Sequence, residues 1–281
     1  MLSNKVVVLT GAGRGIGRTI AIKCAAQGAN LALLARTESE LKETQEIISG
    51  KGPRARIYVC DIASQDSAAA AVEAVRHELG RVDVLVNNAG VQPPIGPFSV
   101  VSLDEWKKNV SVNLFGTAHM TSSVLPDMIS RKKGKIINLS GGGSTSPRPN
   151  FSAYSVSKTA VVRFTETLAV ELREHNIDVN AVSPGAINTR MLDEVLQAGS
   201  LAGNEAADAG KRKEKGGDDP ELAAELIAFL ASDDSDGITG KLISARWDPW
   251  RDEAFRTKLK SEADFATLRR IDEKYFFKSD K

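Results

Sequence analysis

The chain has 281 residues, 42% of them hydrophobic, with 37 Lys and Arg against 36 Asp and Glu. That is enough apolar material for one large α/β domain, and the charge balance removes any electrostatic case for a nucleic-acid or anionic-membrane partner. No apolar run approaches the roughly 20 residues of a membrane span, and the N-terminus, MLSNKVVVLTGAG, enters a strand with no leader of signal-peptide length.

Residues 6–10 read as a short buried strand. They run into Thr10-Gly-Ala-Gly-Arg-Gly-Ile-Gly17, followed by an apolar-periodic stretch (Ile20, Ala21, Cys24, Ala25) that stops at Gly28. Strand, glycine turn and helix are the context of a dinucleotide fingerprint. Glycines let the backbone approach a pyrophosphate, and the helix N-terminus supplies free N–H groups. Gly11, Arg14, Gly15, Ile16 and Gly17 are therefore candidate cofactor contacts. Residues 30–35 form a second buried strand ending in Ala35-Arg36-Thr37, with no carboxylate before Glu38. An acidic residue there would hold ribose hydroxyls, whereas an arginine accommodates a 2′-phosphate. Arg36, with Arg14 in reach, favours NADP(H), and NAD(H) remains possible; the plainer reading of Arg36 is a solvated strand end.

A helix over 38–48 stops at Gly50 and Gly52-Pro53. A third strand over 56–60 is followed by Asp61-Ile62. Asp61 lies on the edge where such sheets bind ligands; it could accept from an adenine amino group or cap the helix starting near Ser64. Cys24, in a helix, and Cys60, at a strand end, read as small core residues rather than a disulfide, which fits a reducing, cytoplasmic setting.

A fourth strand over 82–86 enters Asn87-Asn88-Ala89-Gly90, a turn suited to pressing backbone against a flat ring. After the loop 91–98 comes a long helix over 103–130, which Pro126 is expected to kink or interrupt. Asn113 within it is unfavourable by propensity, so it has either a task or an amide bonded inside the core. The stretch KIINLSGGGSTSPRPNFSAYSVSK (135–158) then opens as a strand, breaks in a Gly/Ser/Pro loop and re-enters a helix running to about residue 175. Tyr154 and Lys158, four apart, share one helical face. A cation beside a phenol lowers its pKa, which is how a tyrosine becomes usable as an acid/base near neutral pH.

A sixth strand over 178–183 ends at Pro184-Gly-Ala-Ile-Asn-Thr189. Residues 190–219 have weak periodicity and follow a strand's C-terminal end, so they are a lid candidate; the KRKEK run (211–215) reads as a solvated loop. A helix over 220–230, a turn at 237–240 and a seventh strand over 241–244 follow. Alternating βα units predict one doubly wound, seven-stranded parallel sheet, an α/β fold of Rossmann type over 1–245. The tail, 246–281, is rich in aromatics, including Trp247, Trp250, Tyr275, Phe276 and Phe277. Phe255, Leu259, Phe265, Leu268 and Ile271 fit a helical stripe. Exposed apolar surface of that size marks a contact, so 246–277 is expected to dock as a helical segment with Trp247 or Trp250 near the cleft of its own or a partner subunit; the alternative is an extra helix packed on the sheet's outer face.

Taken together, Thr10-x-x-x-Gly-Ile-Gly17, Asp61, Asn87-Asn-Ala-Gly90, Asn113, Tyr154-x-x-x-Lys158 and Pro184-Gly185 with Thr189 resemble the short-chain dehydrogenase/reductase family in its compact one-domain form, over roughly residues 5–244. The resemblance implies a nicotinamide cofactor and hydride transfer to or from a carbonyl or alcohol carbon of a small molecule. It implies Tyr154 as general acid/base, Lys158 on the nicotinamide ribose and lowering the tyrosine pKa, and Asn113 holding a relay water. It also implies Ala89, Gly90, Pro184, Gly185, Ile187 and Thr189 against the cofactor, no metal, and a homodimer or homotetramer.

Two features depart from the family pattern. The serine expected thirteen residues before the tyrosine is Gly141; Ser140 beside it should point to the other side of a strand, and Ser144 or Thr145 could substitute if the loop bends. The chain also continues well past the seventh strand. Alongside the NADP(H) reductase reading stand an NAD-linked alcohol or sugar dehydrogenase and, on the strength of Gly141, a non-catalytic nucleotide-binding sensor.

Overall fold

The computed structural model describes residues 1–49 and 54–270. Its strands are β1 (Val6–Thr10), β2 (Asn30–Ala35), β3 (Ala55–Val59), β4 (Val84–Asn87), β5 (Gly134–Leu139), β6 (Ile177–Ser183) and β7 (Leu242–Ser244). All pair in parallel in one sheet ordered β3-β2-β1-β4-β5-β6-β7. The helices are α1 (Gly15–Ala26), α2 (Glu38–Ile48), α3 (Gln65–Leu79), α4 (Leu103–Val110), α5 (Gly116–Arg131), α6 (Ser152–Glu171), α7 (Arg190–Ala198), α8 (Asn204–Lys215), α9 (Pro220–Ala231) and α10 (Glu253–Ser261). This is the doubly wound seven-stranded α/β architecture expected from the alternation of elements.

The strands are apolar throughout because both faces are covered. Val7 and Leu9 of β1 and Leu31 and Leu33 of β2 pack with α1 and α9 (Ile20, Cys24, Leu226, Ile227). Val6, Val8, Ala32 and Leu34, on the opposite side of the pleat, pack with α3, α5 and α6 (Val72, Met120, Leu168). Leu9, Leu33 and Leu85 are completely buried, and each such side chain contributes roughly 1.5–3 kcal/mol. Cys24 and Cys60 are buried free thiols. Three helix starts, those of α3, α4 and α9, carry a side-chain cap: Ser64 accepts from Ser67 N, Ser102 from Glu105 N, and Asp219 from Glu221 N ahead of Pro220. Helix α1 lacks a side-chain cap.

Three expectations are corrected. The long helix is not interrupted at Pro126, which lies inside α5. Met120, Val124 and Met128 are buried on both sides of the proline and hold the helix against the sheet. The irregular turn lies instead at Ser111–Phe115, a π-helical segment between α4 and α5 with Asn113 at its centre. Residues 190–219 are mostly helical, and KRKEK closes α8 rather than forming a loop. Their packing face is legible only in three dimensions: Leu192, Val195, Ala202 and Ala209, two of the four being alanine, form a small core with Phe151 and Tyr154.

Among the described residues of the tail, helix covers only 253–261, while the segment after it is tied to the sheet edge through its main-chain carbonyls. Lys241 Nζ donates to the carbonyls of Glu262, Ala263 and Phe265 (2.6, 3.1 and 2.9 Å), and Leu242 N donates to Ala266 O (2.7 Å). Trp250 is not near the cleft. It is 4% exposed, in the core that α1 and α9 share, and stacks on Phe229 at 5.7 Å. Phe255 and Phe265 meet edge to face at 5.2 Å. Ile271, Tyr275, Phe276, Phe277, Gly50, Gly52 and Pro53 lie outside the described residues.

Candidate active site

The strand order reverses between β1 and β4, and ligands of open α/β sheets bind at that crevice beyond the carboxyl ends of the strands. A cavity of about 770 Å³ lies there. Its wall brings together Gly11, Arg14, Gly15, Ile16, Gly17, Arg36, Asp61, Ile62, Ala89, Gly90, Ser140, Gly141, Tyr154, Lys158, Pro184, Gly185, Ile187 and Thr189. Asn87, Asn113 and Ser144 are not in it.

At one end is the turn between β1 and α1. Gly11 has φ +66°, and a Cβ there would lie 2.9 Å from the Ala89 Cα; a Cβ at Gly17 would collide with the Gly11 carbonyl. The turn thus packs flat against the chain after β4. Asn88 locks it, donating from Nδ2 to the carbonyls of Thr10 and Gly11 (2.9 and 3.2 Å). With neither a side-chain cap nor an acidic residue in its first turn, α1 presents free N–H donors and positive dipole, a cradle for an anion. Arg14 reaches Glu40 at 2.7 Å. Arg36 is exposed in the wall. Asp61 accepts from Ala63 N at 3.0 Å while Ser64 caps α3, so the cap belongs to Ser64 and the Asp61 carboxylate stands at the cavity. These residues fit a dinucleotide with its pyrophosphate on α1.

At the other end stands α6. Tyr154 and Lys158 lie on one face, with the Lys158 Nζ 5.8 Å from the phenol ring centre and donating to Leu139 O at 2.8 Å. Burial pushes Lys158 down to about 8. The expected lowering of the tyrosine is not what the structure shows: burial pushes Tyr154 up, opposed only by the Arg148 guanidinium. Burial penalises the phenolate, and that penalty outweighs the attraction of the Arg148 guanidinium. Gly90 is where the chain must be bare, since a Cβ would meet Asn113 Oδ1 at 3.0 Å and Lys158 Nζ at 3.4 Å. At Gly141 the site of a Cβ is taken by the Tyr154 hydroxyl itself.

Asn113 is fully buried and every polar side-chain atom is used. Its Nδ2 donates to Val91 O, Asn109 Oδ1 and Ser157 Oγ (2.9, 2.8 and 3.0 Å), and its Oδ1 accepts from Val91 N (2.8 Å). The amide thus joins the loop after β4 to α6, and a π-turn supplies the widened backbone that admits it. Asn87 turns into the layer between sheet and helices, donating to Thr121 Oγ1 and Asn138 Oδ1, because strand alternation aims it away from the cavity that Asn88 faces. Ser144 is buried outside the wall and Thr145 is exposed outside it. Ser140, expected to face away, stands in the wall because β5 has already ended at Leu139.

Several wall residues carried no signal in the sequence. Arg148 lies over the Phe151 ring at 3.8 Å and is paired to Glu205 of α8 through Nε and Nη2 (2.6 and 2.5 Å), so the loop after β5 is clamped to the helices above the cleft. Gln92, Glu194, Asp208, Arg212 and Trp247 complete that end. A proline-flanked glutamine or an arginine in a glycine-serine loop has no spacing that announces a site. Among the described residues no group of three His, Cys, Asp or Glu is placed to hold a metal ion, and no helix is long and apolar enough to cross a membrane.

A Rossmann-type sheet with an uncapped glycine turn at one end of its crevice and a tyrosine–lysine pair at the other defines a class, the nicotinamide-dependent oxidoreductases. Comparison with known proteins narrows it: the short chain dehydrogenase family model matches residues 5–199, and the chain belongs to that family. It is 37% identical over 243 residues to "Oxidoreductase UcpA" of Escherichia coli K12, covering 85% of this chain and 92% of that protein. It is 32% identical over 242 residues to the human "Dehydrogenase/reductase SDR family member 4", covering 86% of each. Among solved structures, an NAD+-bound xylitol dehydrogenase superposes with a TM-score of 0.81 at 30% identity, over 86% of this chain and 98% of that one. A levodione reductase gives 0.81 at 28%, over 89% and 98%. The protein is an NAD(P)-dependent oxidoreductase acting between carbonyl and alcohol.

Proposed function

We propose that the protein is an NADP(H)-preferring reductase of small ketones or aldehydes, with Tyr154 as its general acid/base. The observation that carries this reading is the common wall: the Tyr154 hydroxyl, the Lys158 ammonium and the uncapped α1 turn border one cavity. When bound, the nicotinamide supplies the hydride. Tyr154 gives its proton to the carbonyl oxygen, and Lys158 binds the nicotinamide ribose and holds positive charge beside the phenol as it loses that proton. Gly11, Gly15, Ile16 and Gly17 offer main-chain N–H groups to the pyrophosphate, Asp61 receives the adenine amino group, and Pro184, Gly185, Ile187 and Thr189 form the nicotinamide side. Arg36 and Arg14 take the 2′-phosphate. Helices α7 and α8 close over the substrate as a lid, and the C-terminal tail that follows the 1–245 domain packs on it through Trp250, Phe255, Leu259 and Phe265.

A second reading, an NAD-linked dehydrogenase of a polyol or other alcohol, draws on Glu205 and Asp208, whose carboxylates in the wall are acceptors for hydroxyl groups, and on the resemblance to a xylitol dehydrogenase. Assembly into a homo-oligomer is supported by Phe115, Val156 and Val170, apolar residues left half or more exposed on the long-helix side. Turnover of nicotinamide absorbance with NADPH and NADH against a panel of aldehydes, ketones and polyols tests the reading. Faster use of NADH with polyols would replace it by the second, and no turnover with any pair would leave a nucleotide-binding protein.

A further inference from the structure

Gly141 offers no hydroxyl where the reaction needs a second donor. Negative charge develops on the carbonyl oxygen as hydride arrives, and donors fixed around that oxygen are among the largest contributions to such reactions. Three wall residues carry a buried side-chain polar atom without a hydrogen-bond partner: Gln92 at Nε2, Ser140 at Oγ and Glu194 at Oε2. An ionised carboxylate only accepts, so Gln92 and Ser140 are the two that can donate. A buried N–H left unpaired costs about 1–3 kcal/mol, a cost that a ligand atom accepting from it removes.

Of the two, Gln92 is the better placed. Its residue is 4% exposed, and its backbone is pinned. Asn109 Nδ2 donates to the carbonyls of Val91, Gln92 and Pro93 (3.1, 3.0 and 2.8 Å). Asn109 Oδ1 accepts from Ser157 Oγ at 3.1 Å, and that hydroxyl also lies 2.9 Å from the Tyr154 carbonyl. One buried amide and one hydroxyl thus connect the Gln92 main chain to the Tyr154 main chain, and the two side chains they carry border the same cavity. We propose that the Gln92 carboxamide is the second donor to the substrate oxygen, taking the part that Gly141 leaves empty. This rests on the reductase reading above. In the step, the carbonyl carbon gains the hydride, the oxygen gains the Tyr154 proton, and Gln92 keeps its own protons and only donates a hydrogen bond.

The test compares wild type with Gln92→Leu, Gln92→Glu, Ser140→Ala and Tyr154→Phe. It uses NADPH with 4-nitrobenzaldehyde as the first probe and the fastest member of a ketone and aldehyde panel as the second, with NADPH affinity read separately from tryptophan fluorescence. Gln92→Leu should lower kcat about 10²–10³-fold with NADPH affinity within twofold of wild type, and Ser140→Ala should cost less. Gln92→Glu, an acceptor only when ionised, should regain activity relative to wild type as the pH falls toward about 5, where the carboxyl protonates and again donates; this arm holds even if the leucine variant does not fold. A Gln92→Leu kcat within threefold of wild type, a flat pH ratio for Gln92→Glu, or a larger loss in Ser140→Ala would overturn the assignment to Gln92. If Tyr154→Phe stays active, or wild type turns over no carbonyl, the reductase reading itself fails, and this inference with it.

Discussion

The hydroxyl of Tyr154 occupies the space a side chain on Gly141 would need. The glycine is therefore a condition of where the phenol stands, and restoring a serine there is not a simple repair. Gly141→Ser is expected to push the tyrosine aside and lower kcat. A displacement near 1 Å of a reacting group costs on the order of 10²-fold. Gly141→Ala should do the same, because the obstacle is the Cβ. Kinetics of both variants decide the matter: activity equal to or above wild type in the serine variant alone would mean that the tyrosine yields and the hydroxyl is useful.

Tyr154→Phe keeps the ring in its small core with Phe151, Leu192 and Val195 and deletes the proposed proton donor. Cofactor affinity should be nearly unchanged and turnover reduced by about 10²–10⁴-fold, the usual worth of general acid catalysis. Retention of more than a tenth of the wild-type rate would remove Tyr154 from that role.

Arg36 is exposed, with no ion-pair partner among the described residues, whereas Arg14 is engaged by Glu40. Arg36 should thus carry most of the NADPH preference. A hydrogen bond to a charged group contributes about 1.5–3 kcal/mol, so Arg36→Ala should weaken NADPH more than tenfold and leave NADH unchanged. Titration of both cofactors checks this, and an unaltered affinity ratio refutes it.

The buried Lys158 makes the stability of the cofactor-free protein depend on pH. Its folded value, about 8, lies below the ordinary 10.5 because burial penalises the ammonium. Below about pH 8 both folded and unfolded chains are protonated and the penalty is felt in full. Between 8 and 10.5 the unfolded chain binds more protons, so stability rises with pH. Tyr154 is raised by burial and opposes this only above its ordinary value of 10. Lys158→Met removes the ammonium. Its stability relative to wild type should be greatest near neutral pH and fall by up to about 3 kcal/mol toward pH 10. Urea denaturation across that range measures the difference, and a constant offset would mean that the ammonium is not desolvated.

The two tail tryptophans should behave oppositely. Trp250 is buried against Phe229, and Trp→Ala substitutions in cores cost about 3–5 kcal/mol. Trp247 is 78% exposed at the cavity rim, so Trp247→Ala should leave stability within about 0.5 kcal/mol and change only the substrate KM. Denaturation midpoints and KM values of the pair test this; equal destabilisation by both would contradict the burial difference.

The local chemistry of this sequence determined the alternation of strands and helices, the parallel sheet, the glycine turn before α1 and the placing of Tyr154 and Lys158 on one face. Each depends on residues close in the chain, through a period of two, a period near four, or a backbone only glycine permits. Tertiary structure decided the rest. Whether Tyr154 titrates up or down depends on burial contributed by α7 and α8, not on its neighbour four residues on. Asn87 and Asn88 are chemically identical in sequence, and only the pleat at the end of β4 sends one into the core and the other to the glycine turn. Gln92, Arg148 and Glu205 lie in three separate loops and helices, and no spacing relates them. They reach one wall because the sheet brings its carboxyl ends together, and the free energy that does this belongs to the whole core rather than to any segment.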